Sequence, residues 1–117
     1  MQITGTFKVE MKPIEAYAQA REGASMGRMS LDKSFQGPLS AQSQGEMLSA
    51  MSSVKGSAGY VAIEKVVGSL EEKTGTFELQ HFGTMQGTNS RLILEVVPDS
   101  GTGELVGLSG SMQIRIE

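Results

Sequence analysis

The chain has no cysteine, no tryptophan, one histidine and three prolines among its 117 residues. Without cysteine there is no disulfide, no thiolate metal site and no thiol nucleophile, and the composition suits a reducing cytoplasm. A single histidine leaves metal binding to carboxylates, so no dedicated metal site is expected. Charge is sparse too. Ten basic against thirteen acidic side chains give −3 at neutral pH, and the lysines and arginines are scattered singly. The basic stripe that nucleic acid demands is missing, so no nucleic-acid partner is expected. No apolar run approaches the ~18 residues of a membrane span. The opening Met1-Gln-Ile-Thr-Gly lacks the charged and apolar stretches of a signal peptide. These absences set the expectation of a cytoplasmic protein with no membrane partner.

What remains is 38% hydrophobic and 20% charged, with fifteen glycines. That is the composition of a globular domain rich in tight turns. The length predicts one domain over residues 1–117, able to bury roughly 65% of its unfolded surface.

Period-2 alternation dominates the pattern. Ile3, Gly5, Phe7, Val9 and Met11 share one face of a first strand, which Pro13 is expected to stop. Residues 14–23 fit a helical turn or a loop crossing equally. From Met26 to Phe35, one face holds Met29, Leu31, Lys33 and Phe35, and the other Arg28, Ser30, Asp32 and Ser34. Gly37-Pro38 marks a turn. The strand over about 39–52 is the most polar, its even positions carrying Gln42, Gln44, Glu46, Leu48 and Ala50. In the strand over 57–67, Tyr60, Ala62, Glu64 and Val66 oppose Val61, Ile63, Lys65 and Val67. Both faces are half apolar, so Val61, Ile63 and Val67 suggest a surface that pairs subunits in a homo-oligomer.

Gly68 to Gly75 turns the chain into a strand over 76–86, Gly87-Thr88-Asn89 makes a hairpin, and Arg91 to Val97 is the most apolar strand. A last strand over about 110–117 alternates Met112, Ile114 and Ile116 with polar residues. A weak echo links Gly68-x-Leu70…Gly75-x-Phe77-x-Leu79 to Gly103-x-Leu105…Gly110-x-Met112-x-Ile114, suggesting similar hairpin corners. "GTGELVG" at 101–107 imitates a phosphate loop, but no helix follows it. It is expected to be a turn between the last two strands, and no cofactor is expected. Seven or eight short strands without a convincing helix mean a sandwich or a barrel. Tight consecutive turns favour an up-and-down meander whose closure removes the edges.

The blocks "KTGTFELQHFGTM" and "VVPDSGTGELVGLSG", with "KSFQGPLSAQSQGEML" and "GYVAIEKVVGSLEEK", resemble the bacterial domain family of unknown function numbered 3224 from about residue 3 to the C-terminus. The resemblance implies an all-β, closed eight-stranded antiparallel barrel, similar to that of plant allene oxide cyclase and loosely to the calycins. It implies no activity, and no functional residue is carried over from it.

Five polar residues fall on plausible inward faces: Lys33, Glu46, Tyr60, Glu64 and His81; for Glu46, in the most polar strand, and Glu64, whose strand is half apolar on both faces, the opposite face fits as well. Inward residues of a small barrel converge in a lumen that is either filled or holds one small ligand. Three readings follow. The lumen binds an apolar or amphipathic ligand, with Met29, Met47, Met51, Met85 and Met112 at one end. Alternatively, His81 and Glu64 handle protons in an isomerase or cyclase. Otherwise the polar group is a satisfied network inside an inert core. Were Lys33, Glu64 and His81 all inward, they would pair or the lumen would be wet, and a wet polar end suits a carboxylate or carbonyl ligand.

Overall fold

A computed structural model describes residues 2–114. Seven antiparallel strands form one sheet in chain order: β1 (Thr6–Ile14), β2 (Ser25–Gln36), β3 (Leu39–Met51), β4 (Ser57–Leu70), β5 (Lys73–Gln86), β6 (Asn89–Val96) and β7 (Ser111–Met112). The described residues contain no α-helix. Residues 15–24 cross from β1 to β2 as bends and a turn.

The alternation resolves into two faces. On the inner face one row of register partners runs Val9, Lys33, Ser43, Val66 and Phe77. The next runs Met11, Leu31, Gly45, Glu64, Leu79 and Val96, and a third Met29, Met47, Ala62, His81, Leu94 and Met112. Phe7 of β1 and Met112 of β7 come from opposite edges, yet both pack against one cluster of Phe35, Ala41, Val66, Phe77, Leu79 and Leu105. The sheet is therefore curled, with this face on the inside.

It curls without closing. Among the described residues β1 pairs only with β2 and β7 only with β6, which corrects the expected closed eight-stranded barrel. The reason lies at the two edges. β1 carries Pro13, which has no ladder donor, and Pro13 sits inside the strand opposite Met29 rather than ending it. An edge strand is where a sheet tolerates proline. At the other edge the chain leaves the ladder at Val96 and returns for only two pairs, Leu94 with Met112 and Glu95 with Ser111. Ile116, expected to extend that last strand, lies outside the described residues.

The departing segment does structural work of its own. It runs back beside β5, where Val97 N–H donates to the Glu78 carbonyl and Thr102 N–H to that of Thr76. Ser100 Oγ, Thr102 Oγ1 and Glu104 Oε1 accept from the N–H groups of Glu78, Thr76 and Thr74 at 3.0, 3.1 and 3.0 Å. Gly75 has no side chain because a Cβ there would strike the Thr102 carbonyl. The stretch expected to be a simple turn holds a 3-10 turn, Gly103–Leu105, that drives Leu105 into the core. Leu105 thus differs from Leu70, which ends a strand, and the internal echo is not a repeated hairpin corner.

The outer face bears a continuous apolar row of Leu48, Val61, Phe82 and Ile93. Val61, Ile63 and Val67, the residues read as a subunit-pairing surface, are 55%, 58% and 51% exposed there. No helix among the described residues is long and apolar enough to cross a membrane.

The hairpin between β4 and β5 is tighter than the glycines suggested. Gly68 and Gly75 face each other within the ladder, and the turn is made by Glu71 and Glu72 at φ 48° and 70°. Two consecutive left-handed residues are the mark of a type I′ turn, which favours asparagine followed by glycine. The double substitution Glu71→Asn with Glu72→Gly is expected to raise stability by about 1 kcal/mol. A urea midpoint that stays put or falls would contradict this.

Candidate functional site

Three strands aim donors at a carboxylate on a fourth. Glu64, central in β4 with its side chain 0% exposed, receives Lys33 Nζ from β2 at 2.7 Å on Oε2. Ser43 Oγ from β3 donates to Oε1 at 2.7 Å. His81 from β5 meets Oε2 through Nε2, also at 2.7 Å. Beyond the imidazole, Tyr60 Oη lies 2.9 Å from His81 Nδ1. The two rings meet edge-to-face at 5.5 Å.

Local sequence makes room for this cluster. Gly45 stands opposite Glu64, and a Cβ at Gly45 would strike the Ile63 carbonyl and the Glu64 backbone. Gly83 stands opposite Tyr60, and a Cβ there would lie 2.5 Å from Tyr60 Cε1. The tyrosine ring lies over the missing side chain, which carries its hydroxyl to His81. Lys33 runs its stem toward the core and holds its ammonium 5.1 Å from the centre of the Phe7 ring, a cation–π contact.

Burial by itself raises the pKa of Glu64, but hydrogen bonds from His81, Lys33 and Ser43, with the charge of Lys33, reverse this and bring it down to about 2. The carboxylate is therefore an anion, and an anion only accepts hydrogen bonds. His81 Nε2 must then carry a proton. With a neutral ring, Nδ1 is the acceptor and Tyr60 donates to it, so the chain reads Tyr60 O–H to His81 Nδ1, then His81 Nε2–H to Glu64. The tautomer is assigned from these partners. Burial, and then the charge of Glu64, raise the pKa of Tyr60, so its hydroxyl stays protonated.

Four of the five residues read from the sequence as inward, Lys33, Tyr60, Glu64 and His81, meet in this cluster. Glu46 does not. It lies on the outer face, paired with Arg28 through contacts of 2.7 Å to Nε and Nη2. β3 is the most polar strand, so alternation barely separates its two faces, and the inner face takes the odd positions. Ser43 was missed for the same reason. The signal that would have found it is size: Ala41, Ser43 and Gly45 are all small, as a face packed closely against a buried charge requires.

The cluster divides the inner face into two halves. On one side lies the closed core that Leu105 caps. On the other, Met51, Met85 and Leu92 are exposed, and Met29, Met47 and Tyr60 are half-buried, while Val9 and Met11, exposed on β1, lie in the rows of Lys33 and Glu64. Two open depressions also mark the surface. One, of about 540 Å³, is lined by Glu95, Pro98, Asp99 and residues 107–111. The other, of about 390 Å³, lies by Arg21, Met26, Met51 and Ala58. Neither reaches Glu64. Every described buried side-chain nitrogen and oxygen has a hydrogen-bond partner, and no group of three His, Cys, Asp or Glu side chains among the described residues is arranged to hold a metal.

Fold and site define a class: an open, curled antiparallel sheet that buries an ion pair and leads a hydrogen-bonded chain from it to a tyrosine. The chain belongs to the family described as "Protein of unknown function (DUF3224)", whose model matches residues 3–117. It is similar to the crystal structure of a protein of unknown function from that family in Shewanella oneidensis MR-1. The two are 59% identical over 99% of this chain and 89% of the other, with a TM-score of 0.94. No curated protein matches.

The cluster makes folding sensitive to acid. A glutamate whose pKa falls from 4.5 unfolded to about 2 folded contributes about 3 kcal/mol. That stability is present in full above pH 4.5 and disappears as pH drops toward 2. Urea midpoints measured across this range should fall in wild type, and Glu64→Gln should flatten the slope. An unchanged slope in the variant would contradict the assignment. Truncating the cation alone, Lys33→Met, should cost about 3–5 kcal/mol, because it strands a buried anion.

Proposed function

We propose that this chain binds a small apolar or amphipathic molecule on the open half of the inner face, with the ligand's polar end at Tyr60. The observation that carries the reading is the position of the Tyr60 hydroxyl. It ends a buried chain of hydrogen bonds and lies beside the methionine-rich surface formed by Met29, Met47 and their neighbours. Methionine side chains adapt to varied apolar shapes, and exposed apolar surface beside a few convergent polar groups is what small-ligand sites are made of. The reading needs no closed barrel.

A second reading is an isomerase in which Tyr60 Oη takes a proton from the substrate while its own proton passes to His81 Nδ1, and the reverse transfer returns a proton to the product. Glu64 is then a positioning residue. Its oxygens are already occupied by three donors, so it does not take the substrate's proton. The 2.9 and 2.7 Å links from tyrosine to imidazole to carboxylate favour this over direct chemistry at Glu64.

Titration with the neutral dye Nile red tests the binding surface. Saturable fluorescence enhancement is expected for the purified chain. It should be lost in Met47→Lys on the inner face and kept in Ile63→Lys on the outer face. No saturable binding, or equal loss in both variants, would overturn the reading.

A further inference from the structure

The direction of the hydrogen-bonded chain says what kind of polar group the site accepts. It begins at Glu64, which as an anion fixes the proton of His81 on Nε2. Lys33 already balances the charge of Glu64. A neutral imidazole therefore leaves the buried cluster without net charge, the state that burial favours. In that state Nδ1 has a lone pair and no proton, and Tyr60 commits its one hydroxyl proton to it at 2.9 Å. The phenolic oxygen keeps its lone pairs and has no donor left for a ligand.

We infer that Tyr60 Oη faces the ligand as a hydrogen-bond acceptor, so the site takes a neutral molecule whose polar end is an O–H or N–H donor. An alcohol, a phenol or a primary amide has that chemistry; a carboxylate does not. The other donors of the cluster offer a carboxylate little. Ser43 and His81 Nε2 are spent on Glu64, and Lys33 is buried against it and Phe7. The negative charge of Glu64 is felt as far out as Tyr60, whose hydroxyl it helps keep protonated after burial has done so. An anion beside Tyr60 finds no free donor there. The carboxylate or carbonyl ligand that a wet polar lumen would suit is thus disfavoured.

This inference rests on the proposed binding surface, and the test separates the two. Three ligands built on an eight-carbon chain would compete with Nile red on the full chain at pH 8: 1-octanol, methyl octyl ether and octanoate. The alcohol should compete about fivefold or more better than the ether and the carboxylate, the value of one hydrogen bond with a matched partner. In Tyr60→Phe, checked for folding by thermal unfolding, the alcohol's advantage over the ether should shrink to about twofold or less. If that variant fails to fold, the three-ligand comparison in wild type decides alone. Dye binding with no preference for the alcohol, or with octanoate the best competitor, overturns the donor assignment and leaves the binding surface standing. No binding of the dye or of any of the three overturns both.

Discussion

A carboxylate with no exposed surface is the constraint around which this molecule is arranged. An unpaired anion in that position would cost several kcal/mol. Glu64 avoids the cost because Lys33, Ser43 and His81 reach it from β2, β3 and β5. Four strands are thereby held in one register. A slip of one residue in β2, β3 or β5 would turn a donor to the outer face and strip the anion of a partner. An open sheet with edges at β1 and β7 gains from such a clamp, since it lacks the closure that would otherwise fix its strands.

Burial relaxes outward along the same chain of atoms. Glu64 is sealed, His81 is buried, and Tyr60 is half-buried beside exposed methionines. Charge is held where water is excluded, and its influence is delivered at the surface through a neutral ring and a hydroxyl. The arrangement fits both a stabilising core and a recognition site: the inner end secures the fold, and the outer end remains free to meet a ligand.

Alternation carried most of the fold into view. Lys33 between Leu31 and Phe35, and His81 after Phe77 and Leu79, could only point inward if their neighbours did, and they do. Where both faces carried apolar residues the pattern lost its force. In β3, the most polar strand, it had little to act on, and Glu46 lies on the outer face, where Leu48 joins an apolar row. Closure lay beyond alternation altogether. It depends on whether two edges meet, and residues 101–107, which read as a plain turn, belong to a segment from Val97 onward that runs back along β5 and plugs one end with Leu105. Hydrogen bonds from Ser100, Thr102 and Glu104 to β5 backbone have no periodic signature.

The central claim is a single tautomer, and this chain is suited to testing it because it has one histidine. Nitrogen-15 NMR of the imidazole, through two-bond couplings to its ring protons, reports both nitrogens without assignment of any other residue. At pH 8 the account predicts a protonated Nε2 with a slowly exchanging proton and an unprotonated Nδ1, whose shift moves when Tyr60 is replaced by phenylalanine. A ring protonated at Nδ1 alone, or one averaging freely between both tautomers, would contradict the chain from Glu64 to Tyr60.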